Sequence, residues 1–126
     1  MVNVYVLNYS ENTYQKERVK KAVKNLGGEI INEFSQRLPC FFNKKLLARR
    51  LHIPNNDLDL MRSAEEIWVI SGNKSFFESY KSGGLLAERS RTPIRYFSIC
   101  HYGKYQNQIK EVRRSYLEDK RHENWN

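Results

Sequence analysis

The stretch Val2–Asn8 reads VNVYVLN and is apolar at nearly every position, with β-branched and aromatic residues predominating. A strand with one wet face alternates apolar and polar residues. One that is apolar throughout has to be covered on both faces, which is the condition of a parallel sheet. That requirement constrains the chain more than any other, and the next residues begin to meet it. Asn8–Thr13 is turn chemistry, and Ser10 or Thr13 can cap a following helix by accepting from its free N–H groups. Tyr14, Val19, Ala22, Val23 and Leu26 recur at helical spacing over Tyr14–Leu26. Lys16, Lys20, Lys21 and Lys24 fall outside this stripe, and Gly27-Gly28 supplies the stop. Glu29–Phe34 (EIINEF) is then a second short strand, and a crossover of this length implies parallel pairing and a right-handed connection.

The second half repeats the pattern. After a loop carrying Pro39, Cys40, Phe41 and Phe42, the segment Lys44–Leu51 reads as a short basic helix that ends before Pro54. Asn56 is placed to cap a helix over Asp57–Glu65, whose Asp57 and Asp59 suit the positive end of its dipole. Ile67–Ile70 is a third buried strand and stops at Ser71-Gly72. Phe76–Tyr80 and Leu85–Arg89 read as short helical pieces around Ser82-Gly83-Gly84. Pro93 announces a fourth strand, Ile94–Ile99. His101–Asn107 is a loop. Gln108–His122 carries Ile109, Val112 and Tyr116 on one stripe and closes the chain as an amphipathic helix before a frayed tail. The expectation is one small three-layer α/β domain over residues 1–126, Rossmann-like or flavodoxin-like. Its sheet would be mainly parallel, of about four strands, and residues 108–126 would form a basic helix and tail.

Composition narrows the function classes. With 126 residues and 40% hydrophobic content the chain supports a single modest core. The net charge of +8 favours phosphate-bearing or polyanionic partners. Cys40 and Cys100 form no disulfide framework and no metal-ligand spacing, so no metal is expected; no cofactor is expected either. No apolar run reaches the ~20 residues of a membrane span, and the start lacks a signal-peptide core. A cytoplasmic protein is expected. The Lys-, Asn- and Tyr-rich composition suits an AT-rich bacterial or phage genome.

In an open parallel sheet, ligands bind beyond the carboxyl ends of the strands. The residues that fall there are Asn8, Tyr9, Ser10, Ser71 and Gly72, with Ser82, Gly83, Gly84 and Glu88 on the connection that follows. Gly83-Gly84 either cradles a phosphate with its N–H groups or makes a plain turn. Glu88 is either a site carboxylate or a surface group paired with Arg89, Arg91 or Arg95. The rival feature is cationic: Arg113 and Arg114, with Lys44, Lys45, Arg49 and Arg50, could contact phosphates of a nucleic acid. Glu111, Glu118 and Asp119 interleave with the last helix's cations, as in ordinary i,i+4 pairing.

The segments SAEEIWVISG at 63–72, SGGLLAE at 82–88 and TPIRYF at 92–97 resemble the nucleoside 2-deoxyribosyltransferase-like superfamily. Its pattern runs from a strand of this kind through a Ser-x-Gly-Met-x-x-Glu turn to a Pro-Val-Arg-Tyr-Phe strand. Ser82, Gly84, Leu85 and Glu88 fall on that turn. Glu88 stands only five residues before Pro93, so Ser75 and Glu78 are an alternative match. The resemblance implies a nucleoside, nucleotide or ADP-ribose-like ligand, with Glu88 as nucleophile on the anomeric carbon and Asp57 or Asp59 assisting. The chain would then either cleave or transfer at the N-glycosidic bond or only sequester the ligand. A homo-oligomer is also implied. The alternative is a non-enzymatic basic module that engages nucleic acid or an acidic protein.

Overall fold

The computed structural model describes residues 1–9, 14–37, 52–72, 90–99 and 108–115. Five strands form one sheet: β1 (Val2–Tyr9), β2 (Gly28–Ser35), β3 (Glu66–Ser71), β4 (Ile94–Ile99) and β5 (Ile109–Ser115). The spatial order is β2-β1-β3-β4-β5. The pairs β1–β2, β1–β3 and β3–β4 are parallel, whereas β4–β5 is antiparallel. This is the strand order of a flavodoxin-type doubly wound sheet with its last strand reversed, a Rossmann-like α/β arrangement.

The apolar strands are covered on both faces, as their composition requires. Val4, Val6, Trp68, Ile70, Phe97 and Ile99 face helix α1 (Tyr14–Asn25), which contributes Val19, Ala22 and Val23. Tyr5, Leu7, Ile67, Val69, Ile94 and Tyr96 face Met61 and Leu58 of the short helix α2 (Leu58–Ser63). Gly27 ends α1 with φ 84°, a left-handed conformation that only glycine adopts without strain. Gly28 lets β2 approach α1: a Cβ there would lie 2.7 Å from Val23 Cγ1 and 3.1 Å from Trp68 Cη2.

Two expectations are corrected. The segment 109–115 is a strand rather than the first half of an amphipathic helix, so the sheet has five strands rather than four. The stripe that Ile109 and Val112 would share on a helix is split, with Ile109 buried and Val112 49% exposed. The reason is tertiary. Lys, Glu and Arg favour helix locally, but β4 is apolar on both faces and would otherwise leave its outer edge unpaired. Residues 100–108 are also too few for a parallel crossover, which takes a dozen or more, so the chain returns antiparallel. The second correction concerns the expected helix over Asp57–Glu65. Asn55–Asp57 is a 3-10 turn and α2 begins at Leu58, without a side-chain cap. Asn56 lies inside the turn, and the Asp57 carboxylate accepts from the Tyr5 hydroxyl instead. Ala64, with ψ 153°, ends the helix. The expected helices over 44–51, 76–80 and 85–89, and the last expected helix beyond Ser115, lie outside the described residues.

An ion cluster ties β5 to the sheet. The Arg95 guanidinium lies 4.9 Å from the Trp68 ring centroid and 5.1 Å from that of Phe97. Its Nε donates to Glu111 Oε2 at 2.7 Å, and Nη1 stands 3.4 Å from Glu66 Oε1. Glu111 also pairs with Arg114, and Trp68 Nε1 donates to Glu66 at 3.2 Å. Because Arg95, Glu66 and Glu111 are about four-fifths buried, their pairs are screened far less than surface ones, whereas Arg114 is nearly half exposed.

Candidate functional site

The strand order reverses at β1: the chain goes from β1 outward to β2, then back across β1 to β3. Connections from the two central strands therefore leave in opposite directions, which opens space at their carboxyl ends. The register sets Asn8 beside Ile70 and Tyr9 beside Ser71, with Gly72 next in the chain. Asn8, Tyr9, Ser71 and Gly72, expected together from the sequence, are thus brought together by the β1–β3 pairing. Asn8, Tyr9 and Ser71 are buried and Gly72 is half-buried. Asn8 lies on the α1 side of the sheet. Tyr9 and Ser71, one residue along, lie on the α2 side, so the strand ends carry polar residues on both faces.

The α2 side of this edge is built from aromatic rings and tethered backbone. Tyr9 Oη donates to the His52 carbonyl at 2.8 Å, and the His52 N–H donates to Gln36 Oε1 at 2.8 Å. The Phe34 ring lies edge-on to Tyr9 at 6.2 Å and tilted against His52 at 5.4 Å. Gln36 N–H in turn donates to Asn8 O at 3.0 Å, continuing the β1–β2 ladder past the end of β2. His52 is exposed. The sequence reading passed over His52 and Phe34, one being a dispersed histidine and the other a core strand residue.

Of the two expected helper carboxylates, Asp57 accepts from Tyr5 Oη at 2.7 Å and so faces the body of the sheet. Burial, reinforced by this hydrogen bond and by the charge of Asp57, raises the Tyr5 phenol well above its ordinary value, so it stays protonated and keeps donating. Asp59 is almost fully exposed and stands 3.4 Å from Arg62 Nη1 on its own helix, an ordinary surface pair. No described contact joins either aspartate to the β1–β3 strand ends. Ser10, Ser82, Gly83, Gly84 and Glu88, with the alternatives Ser75 and Glu78, lie outside the described residues.

Arg113 and Arg114 are on β5 opposite Tyr96 and Arg95, two strands from β1–β3 toward one margin of the sheet. They register with the first half of β4, away from the carboxyl ends of the parallel strands. Arg114 is bonded to Glu111. A groove of about 810 Å³ lies elsewhere, between Leu26 after α1 and the β4–β5 pair, walled by Phe97, Ile99 and Ile109 with Arg95 and Glu111 at its side. Among the described residues no group of three or more His, Cys, Asp or Glu is placed to hold a metal ion, and no helix is long and apolar enough to cross a membrane.

No protein-family profile matches the chain, and no curated protein matches it.

Proposed function

We propose that the chain binds a nucleotide-type small molecule at the carboxyl ends of β1 and β3. The observation that carries this reading is the reversal of strand order at β1, beside which Asn8, Tyr9, Ser71 and Gly72 meet. Two sequence features support it. The net charge of +8 attracts phosphate-bearing ligands, and the segments at 63–72, 82–88 and 92–97 resemble the nucleoside 2-deoxyribosyltransferase-like superfamily. On that resemblance Glu88 would attack the anomeric carbon, so that the base leaves as the carboxylate–sugar bond forms. The competing reading, a basic surface for nucleic acid or an acidic protein, draws less support. Several of the described cations lie in ion pairs and do not form an open cationic face: Lys20 with Glu17 and Glu33, Arg62 with Asp59, Arg95 with Glu66 and Glu111, and Arg114 with Glu111.

The test is an amide chemical-shift titration with a panel of nucleosides, nucleoside phosphates and ribose phosphates. Shifts concentrated at Tyr9, Ser71 and Gly72 are expected. Silence across the panel overturns the reading. Binding of an oligonucleotide that falls steeply with salt and shifts α1 and β5 instead would establish the basic-surface reading. Release of free base by wild type, lost in Glu88→Gln, separates catalysis from sequestration.

A further inference from the structure

We infer that His52, backed by Phe34, is the shelf on which the ligand's base stacks; this rests on the nucleotide reading of the β1–β3 strand ends and adds to it the part of the ligand recognised. His52 is held on three sides. Its N–H is fixed by Gln36, its carbonyl by Tyr9 Oη, and its ring by Phe34 at 5.4 Å. The backbone bonds alone suffice to anchor the chain here, and any side chain would serve that purpose. Yet the ring is an aromatic one, exposed and lying against the Phe34 ring. An exposed aromatic ring on a tethered backbone and backed by a second ring has less freedom to lose when a flat ring stacks on it. Base–aromatic stacking tolerates any base, since each has a π-face.

The position fits the ligand proposed. Tyr9 sits at the end of β1 beside Ser71, and the same side chain reaches the His52 carbonyl. The Tyr9 side chain thus ties the backbone of His52 to the end of β1 through a 2.8 Å hydrogen bond. The aromatic pair gives affinity for the base, and the strand ends give affinity for the sugar and phosphate.

The experiment compares adenosine 5′-monophosphate with ribose 5-phosphate, which differ in the base alone, on wild type, His52→Ala and His52→Phe. Wild type is expected to bind the base-bearing probe about tenfold more tightly. His52→Ala should lose that preference while its affinity for ribose 5-phosphate stays unchanged, and His52→Phe should keep it. In wild type the His52 ring protons should move upfield with the nucleotide and stay put with ribose 5-phosphate, a readout that needs no variant to fold. Equal binding of both probes, with shifts at Tyr9 and Ser71 but none at His52, overturns the shelf and leaves the strand-end site standing. Absence of binding by either probe overturns the shelf, and silence across the wider panel overturns the strand-end site as well.

Discussion

Tyr5→Phe isolates one of the bonds that hold the β2–β3 connection against the sheet. The ring is fully buried, and the substitution leaves it in place, so no cavity opens and only the hydroxyl is lost. That hydroxyl donates to Asp57 at 2.7 Å. A hydrogen bond to a charged acceptor contributes about 1.5–3 kcal/mol. Asp57 is half-buried, so water can take over part of the bond, and the expected loss is about 1–2 kcal/mol. In urea this lowers the midpoint by about 0.5–1 M at an unchanged slope. A double-mutant cycle with Asp57→Ala should return a coupling of about 1 kcal/mol. The pH dependence supplies an independent check. The Tyr5 phenol ionises at a higher pH in the folded chain than its ordinary 10. Its contribution is therefore complete below pH 10 and is lost as pH rises from there, because the unfolded chain releases the proton first. Wild type should lose stability above pH 10 more steeply than Tyr5→Phe. Coincident curves, or a coupling of zero, would refute the assignment of Asp57 as a structural acceptor and return it to candidacy as a free carboxylate.

Three further outcomes are expected. Ile109→Ala should cost about 2–4 kcal/mol while Val112→Ala stays within about 0.5 kcal/mol, because one is buried and the other half-exposed; a helix carrying both on one stripe would make the two costs alike in chemical denaturation. Glu111→Gln should destabilise by about 2 kcal/mol, since it weakens the hold on Arg95 and releases Arg114, and the Arg95 part of the loss should vary little with salt because that pair is mostly buried while Arg114 is half exposed. Gly28→Ala should lower the thermal midpoint, with a loss of about 1–3 kcal/mol, as the new methyl meets Val23 at 2.7 Å and the Trp68 ring at 3.1 Å.

The sequence by itself determined the parallel part of this protein. Val4, Val6, Tyr5 and Leu7 are apolar on both faces of one strand, and only helices on both sides can cover them. The Val19, Ala22 and Val23 stripe, the Gly27 stop and the Ile94–Ile99 strand were legible for the same reason: each is a local pattern with a local cause. Asn8, Tyr9, Ser71 and Gly72 were legible as a group because strand ends in such a sheet converge on one edge. What tertiary structure alone decided is the role of groups whose partners are distant in the chain. Residues 109–115 carry helix-favouring side chains, yet the open edge of β4 and the shortness of the preceding connection make them a strand. Asp57 looks like a helix-start carboxylate until Tyr5, 52 positions away, takes its oxygen. His52 is one dispersed histidine among three until Tyr9, Gln36 and Phe34 fix it at the strand ends. Periodicity reports which face of an element is apolar. It carries no information about which distant group will meet a polar side chain, and here those meetings define the edge at which the ligand is proposed to bind.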